Sequence, residues 1–465
     1  MGIVKSYILN FSNFKTELVV ILFLMFPLVI LFGAIGSNPT KIIFILSIPI
    51  VLFLTLRFEF LYLLIIILLF IKEYLFGFSW VSYLPVVLLL SFIITFKNIS
   101  INDFRSSIVA PLLIYFILTI PSYINNQVPW ESIKETFNLF IFFILVLLTI
   151  AAHSDQVQFK KYLVFYLGMV LINGVFLILN GVISGSREFG FAGVMYVDYV
   201  GIGIILSIII LLFASSQNKI FYTLLTLILI VASLFTQTRN AFISIILTFT
   251  LLLLYLIKKS DYFNLNKRYL IIILLSSIFL VGGIYISLKT INPEISQRTE
   301  ELAQSNQQIL DEEGAATSSI ISRIFIWSTA VNAFSHNPIF GVGIYAFPYI
   351  SEKYNKLPQF IFEEYVEGRY PHIAFLAVLT ETGIVGLIGF IILLFYIIRL
   401  SFESMSYSSN RNEKITTLLL NWAQVYIVIS MFMTDAWLWD HGIILWGIVL
   451  GLNISNRKLL KSKMS

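Results

Sequence analysis

Arg187, Arg239 and His372 are the side chains from which this sequence could assemble chemistry. Arg239 interrupts an apolar run extending from Ile220 to Ile257, flanked by Thr236, Gln237, Thr238 and Asn240. An Arg misplaced in hydrocarbon costs about 2.5–3.5 kcal/mol on insertion scales, so this one calls for an outer-surface position or an anionic partner. Simple snorkelling to the interface is the plain alternative, but hydrogen-bonding neighbours at the mouth of a hairpin favour anion binding. Arg187 lies in Gly185-Ser186-Arg187-Glu188-Phe189-Gly190, where pairing with Glu188 in a solvated loop is its plain reading. Planar guanidinium forks suit bidentate phosphate recognition better than ammonium groups do, so the two together suggest a pyrophosphate clamp.

His372 follows Arg369-Tyr370-Pro371 and precedes an apolar run beginning at Ile373. An imidazole at that boundary can take a proton from a hydroxyl near neutral pH. A lone histidine is more often structural, and His153, at an inner helix end, His336, in a polar segment, and His441, near the last apolar run, carry no comparable signal. Glu381 lies nine residues further on, roughly 13 Å deeper along a straight helix and half a turn around it. That geometry makes it a buried structural acid rather than a partner of His372. Gly383, Gly386 and Gly389 repeat every three residues, a spacing expected to permit close helix packing.

The elements that must hold these residues follow from composition. Of 465 residues 58% are apolar and 12% charged, which excludes a soluble chain of ordinary makeup. Apolar runs near 18–36, 41–56, 60–78, 79–96, 107–124, 135–152, 162–183, 197–214, 220–236, 240–257, 270–288, 373–398, 415–434 and 438–453 make fourteen candidate membrane helices. They are apolar on every face rather than alternating, so the reading is an all-α polytopic transmembrane helix bundle of about fourteen spans and not a barrel. Twelve is the alternative count, because the pair at 60–96 is weakly separated. The first run follows Lys5 and Lys15 and is expected to stay as an anchor.

With the N-terminus inside, nineteen of the thirty Lys and Arg residues fall on cytoplasmic loops. The short outer loops keep only Lys41, Lys72, Lys134, Arg187 and Arg239, so both termini are expected in the cytoplasm. The expected organisation is a membrane bundle over 1–288, a large, partly helical extracytoplasmic loop over 289–372, and three spans with a cytoplasmic tail over 373–465. Within the loop a helix is expected from Pro293 to about Leu310. Another starts near Arg323, and Pro and Gly punctuate His336-Asn337-Pro338-Ile339-Phe340-Gly341-Val342-Gly343 as a turn. The chain has no cysteine, which excludes disulfides and thiolate chemistry. Its net charge of +5 matters through sidedness, and no nucleic-acid partner is implied.

Four pieces occur in order: Arg187 with Gly190-Phe191; Thr238-Arg239-Asn240-Ala241 heading an apolar helix; Arg323, Trp327, Ala330, Pro338, Gly341-Val342-Gly343 and Phe347; and His372, Leu376, Glu381-Thr382-Gly383 and Gly386-Leu387. Together, over about residues 185–400, they resemble the bacterial O-antigen ligase and Wzy-type polymerase family. The resemblance implies a plasma-membrane transferase using an undecaprenyl-diphosphate-linked glycan donor at an extracytoplasmic site, with no cofactor and no metal. It matches Arg187 and Arg239 to diphosphate-binding arginines and His372 to the catalytic histidine. The family's Asn-bearing motif after the first arginine is replaced here by Val194-Met195-Tyr196-Val197-Asp198-Tyr199, which leaves the roles of Asp198 and Tyr199 open.

The expected chemistry is inverting transfer to a sugar hydroxyl of a lipid-linked acceptor, with Arg323, Tyr345 and Tyr370 as candidate positioning groups. The motifs do not separate a polysaccharide polymerase, the favoured reading, from a ligase acting on lipid A core or another final acceptor. A flippase and a chain-length regulator are further partners the resemblance implies. A lipid-linked oligosaccharide flippase or transporter is the rival of a different class, since intramembrane charges also mark transport paths.

Overall fold

The computed structural model describes residues 65, 108–152, 156–184, 196–236, 238–276, 319–438 and 440–464. Apart from Ile65, the first four expected spans lie outside the described residues, as do Arg187, Gln237 and the helix expected from Pro293 to about Leu310. Every regular element among the described residues is helical. Where lipid replaces water, a backbone must satisfy its own polar groups, and a helix does so within one segment.

The helices are α1 (Val109–Thr119), α2 (Pro129–Ala152), α3 (Gln156–Ser184), α4 (Tyr196–Phe213), α5 (Ser216–Phe235), α6 (Arg239–Lys258), α7 (Ser260–Phe263), α8 (Ser319–His336), α9 (Phe347–Ile350), α10 (Gln359–Tyr365), α11 (Ala374–Ser406), α12 (Arg411–Ser430) and α13 (Asp440–Ser462). The long run from Ile220 to Ile257 is two helices, one ending at Phe235 and the next starting at Arg239, as its length requires. Six described helices are long and apolar enough to cross a membrane: α3, α4, α5, α6, α11 and α13. On α5, Ile220, Leu224, Leu227 and Val231 are exposed at helical spacing, the stripe a lipid-facing side presents.

The chain divides into two compact units. One comprises Lys134–Thr248, Ile388–Ser465 and the described residues up to Leu118. Its α4 is buried along almost its whole length, with α3, α5 and α12 packed against it. Tyr166 donates its hydroxyl to the Tyr199 carbonyl at 2.7 Å, and Tyr196 donates to the Val170 carbonyl at 2.9 Å, so the α3–α4 contact carries interhelical hydrogen bonds. Phe142 and Trp446 stack at 4.5 Å to join α2 to α13.

The other unit comprises Thr119–Ile133 and Phe249–Leu387. There α8 packs against α10 and the 3-10 turn Ser351–Tyr354 over a core that includes Ile326, Ala330, Ala333, Phe347 and Phe362. Asn332 donates its amide to the Tyr354 carbonyl at 2.6 Å, and Asn337 donates to the Tyr354 hydroxyl at 3.0 Å. These bonds fix the turn that follows α8.

Candidate functional site

The segment 338–343 and α11 solve one problem jointly. Gly383, inside α11, has φ 64° and ψ −166°, a backbone region that essentially only glycine occupies. The break separates Ile384 and Val385 from the carbonyls of Thr380 and Glu381, which lie four residues back and would have accepted from them in a regular helix. All four groups find new partners. Ile384 N–H donates to the Pro338 carbonyl at 3.0 Å and Val385 N–H to the Ile339 carbonyl at 3.3 Å, while Val342 N–H donates to the Thr380 carbonyl at 3.1 Å and Gly343 N–H to the Glu381 carbonyl at 2.9 Å. Gly341, with φ 70°, makes the approach possible, since a side chain there would collide with the Glu381 carbonyl. A broken helix with satisfied backbone groups is what an apolar surround tolerates.

This finding revises the expected role of Gly383, which terminates a hydrogen-bond ladder rather than serving close helix packing. Gly389 does pack closely: a Cβ there would stand 3.2 Å from the Tyr115 backbone. Glu381 is buried at 3% exposure, and its Oε2 accepts the Tyr345 N–H at 2.9 Å. The structural reading of that acid therefore has a named partner. The clasp is braced from 119–133 as well, where Asn125 donates to the Gly341 carbonyl at 3.0 Å and the Ser122 hydroxyl accepts Ile344 N–H at 3.2 Å.

His372 is half-buried, two residues before α11, and has φ 58°. Trp327 on α8 donates its indole N–H to the carbonyl of Pro371 at 2.8 Å. The motif residue Trp327 thus holds the backbone immediately ahead of the candidate base. Arg323 is half-buried one turn earlier on α8, and Tyr370 is half-buried two positions before His372. Tyr345 is buried at 4% and has φ 59°. Arg323, Tyr345, Tyr370 and His372 all belong to the unit that contains the clasp.

Arg239 is the first residue of α6 and belongs to the other unit. Its neighbour Asn240 donates a side-chain N–H to the Met433 carbonyl at 2.7 Å, tying the head of α6 to the loop after α12. Two positions beyond Met433 stands Asp435, buried at 5%, within electrostatic reach of Asp198, buried at 8% in the first turn of α4. Tyr426, fully buried on α12, lies directly over Gly201, one turn on from Asp198. Buried carboxylates are costly in an apolar surround and mark functional positions. Sequence reasoning left Asp198 open and passed over Asp435 and Tyr426. The only signal they gave was an isolated polar group at the edge of an apolar run.

Residues 224–391 match the family model described as O-antigen ligase. That stretch belongs to the O-antigen ligase family. No curated protein matches the chain in a sequence comparison. The O-antigen ligase domain includes Arg239, Arg323, Tyr345, Tyr370, His372 and the whole clasp between 338–343 and α11, whereas Arg187, Asp198, Tyr426 and Asp435 lie outside the matched residues. Together with the six apolar helices, the O-antigen ligase domain makes this a multi-pass membrane protein.

Proposed function

We propose that the protein is a bacterial surface-polysaccharide polymerase that moves a glycan from an undecaprenyl-diphosphate-linked donor to a sugar hydroxyl of a lipid-linked acceptor. The observation that carries this reading is the position of Arg239 and His372 within the family-matched stretch, one heading a helix and the other just ahead of a broken one. In the reaction, the acceptor oxygen forms a bond to the anomeric carbon as the bond from that carbon to the diphosphate oxygen breaks. The electron pair leaves with the diphosphate, where Arg187 and Arg239 stabilise the growing negative charge. His372 takes the hydroxyl proton, a contribution typically worth about 10²–10⁴-fold in rate. Direct displacement inverts the anomeric centre, and the reading assigns no metal or cofactor. Arg323, Tyr345 and Tyr370 are positioning groups in this scheme.

The description of the matched family, O-antigen ligase, fits a second reading as well, in which the same chemistry delivers the glycan once to a final acceptor such as lipid A core. Purified protein incubated with defined lipid-linked repeats, with and without chelator, separates the cases. A ladder of lengthening products supports the polymerase, and transfer seen only when a final acceptor is added supports the ligase. Movement of labelled substrate across a vesicle without a new glycosidic bond would place the protein among transporters. Activity abolished by chelator and restored by a divalent ion would overturn the metal-free scheme.

A further inference from the structure

Helix α12 is twenty residues long, yet it is absent from the six helices apolar enough to span. The cause is a polar face buried against the second half of α11 and against α13. Ser401, Ser404, Thr417, Asn421 and Gln424 are each at most 1% exposed. On α13, Asn453 is 1% exposed and Asn456 is 7% exposed. Some of these groups bond one another across the three helices. Asn453 donates its amide to the Ser401 hydroxyl and to Asn421 Oδ1, each at 3.1 Å, and Asn456 donates to the Thr417 hydroxyl at 2.9 Å. Such bonds hold helices together in membranes.

The hydrogen bonding remains incomplete. Among the described residues, Asn421 Nδ2, both polar atoms of Gln424, Asn453 Oδ1 and Asn456 Oδ1 are buried without a protein partner. Leaving a buried donor or acceptor unsatisfied costs on the order of 1–3 kcal/mol, and several in one seam are not sustained in a dry interior. The mixture of leftover groups identifies the missing partner. A cation would satisfy the three amide oxygens and leave the two NH₂ groups stranded, while an anion would do the reverse. Water donates and accepts, and a buried water takes two to four such bonds.

The geometry points to a water-filled crevice between α11, α12 and α13, entering at the end of the bundle where Arg457 meets Glu403 and reaching the level of Gln424. Arg457 is the residue after Asn456, and its guanidinium bonds Glu403 at 2.8 Å with both side chains partly exposed. The polar run therefore continues from buried amides to groups that solvent already touches. This hydration is independent of the transfer chemistry and follows whichever reaction the protein performs.

The natural absence of cysteine gives a clean test. Ser404→Cys and Thr417→Cys exchange a hydroxyl for a thiol in the seam, and Ile397→Cys on α11 and Leu445→Cys on α13 place thiols among buried apolar groups. Each full-length variant, in lipid nanodiscs, is exposed to silver ion, then unfolded and alkylated, and the protected fraction is read by mass spectrometry. A thiol reacts as the thiolate, which water favours and an apolar surround suppresses. The seam thiols are expected to react at least about ten times faster than the two controls. Equal rates at all four positions overturn the crevice.

Should a thiol variant fail to fold, Gln424→Leu decides separately through its melting temperature. In a dry seam leucine relieves two unsatisfied atoms and raises it, which also overturns the proposal. In a hydrated seam glutamine already has partners, so the melting temperature stays level or falls.

Discussion

Glu381 reaches back thirty-six positions to accept the backbone N–H of Tyr345 at 2.9 Å. The bond joins the turn of α11 that precedes the Gly383 break to the segment that clasps it, so one side chain reports on the whole arrangement. Glu381→Ala strands a buried donor and is expected to destabilise the protein by about 1–3 kcal/mol. Glu381→Gln retains an acceptor and should cost less. Thermal unfolding of both variants in detergent checks the order, and a harmless alanine would show the bond to be incidental.

Gly383→Ala and Gly368→Ala compare a glycine that the clasp crowds, in a backbone region essentially closed to other residues, with one in open space. Both glycines have positive φ, but a Cβ at Gly383 would strike the Ile339 carbonyl, whereas one at Gly368 meets nothing within 4 Å. Gly368→Ala should cost about 1–2 kcal/mol, the ordinary penalty for a left-handed residue. Gly383→Ala should cost clearly more, visible as a lower melting temperature and reduced yield. Equal losses would mean that the clasp yields to the added methyl.

For His372, glycine is the sharper substitution because φ 58° suits it. His372→Gly is expected to insert and fold normally while losing transfer by about 10²-fold or more. Imidazole added to the purified variant should restore part of the rate if the lost function is proton acceptance. Near-normal polymer in cells carrying the variant would remove His372 from the mechanism.

Arg239→Lys retains the charge at the head of α6 and removes the planar fork. If Arg239 grips a diphosphate bidentately, the lysine form should transfer poorly, with donor KM raised in product assays. Equal activity of the two forms would favour simple charge balance.

Glu413 offers a pH test away from the membrane interior. Its burial opposes ionisation, but the Lys463 ammonium at 2.8 Å and the N–H and hydroxyl of Ser409 outweigh that and hold its carboxyl below the ordinary range. A depressed carboxyl pKa contributes stability that is complete above the unfolded-state value and fades as pH falls through the folded one. Glu413→Gln should therefore lower the melting temperature at pH 7, and its gap from the natural protein should close on acidification below about pH 4. A gap that is constant with pH would assign the effect to packing.

Much of the helical layout was legible because each apolar run must satisfy its own backbone in lipid, and length alone divided the run from Ile220 to Ile257. Helix ends were less legible. α11 continues past Arg399 to Ser406 and α13 past Asn453 to Ser462, because their polar residues bury against one another rather than ending the segment. The clasp was half visible: Pro338, Gly341 and Gly343 read as a turn, but their bonding to residues some forty positions later left no local trace. Asp435 and Tyr426 gave still less, since one acid and one phenol gain meaning only from what lies beside them.

By itself the sequence determined that the chain is helical and built for lipid, and it singled out His372 and two arginines as scarce polar groups at apolar boundaries. Apolar burial and helix formation depend on composition and on neighbours in the chain, so a linear reading reaches them. Only the tertiary structure decided that Gly383 breaks its helix, that Glu381 serves Tyr345, and that the amides of α12 and α13 share one seam. Those outcomes depend on which distant donor meets which distant acceptor, and spacing along a chain carries no record of that.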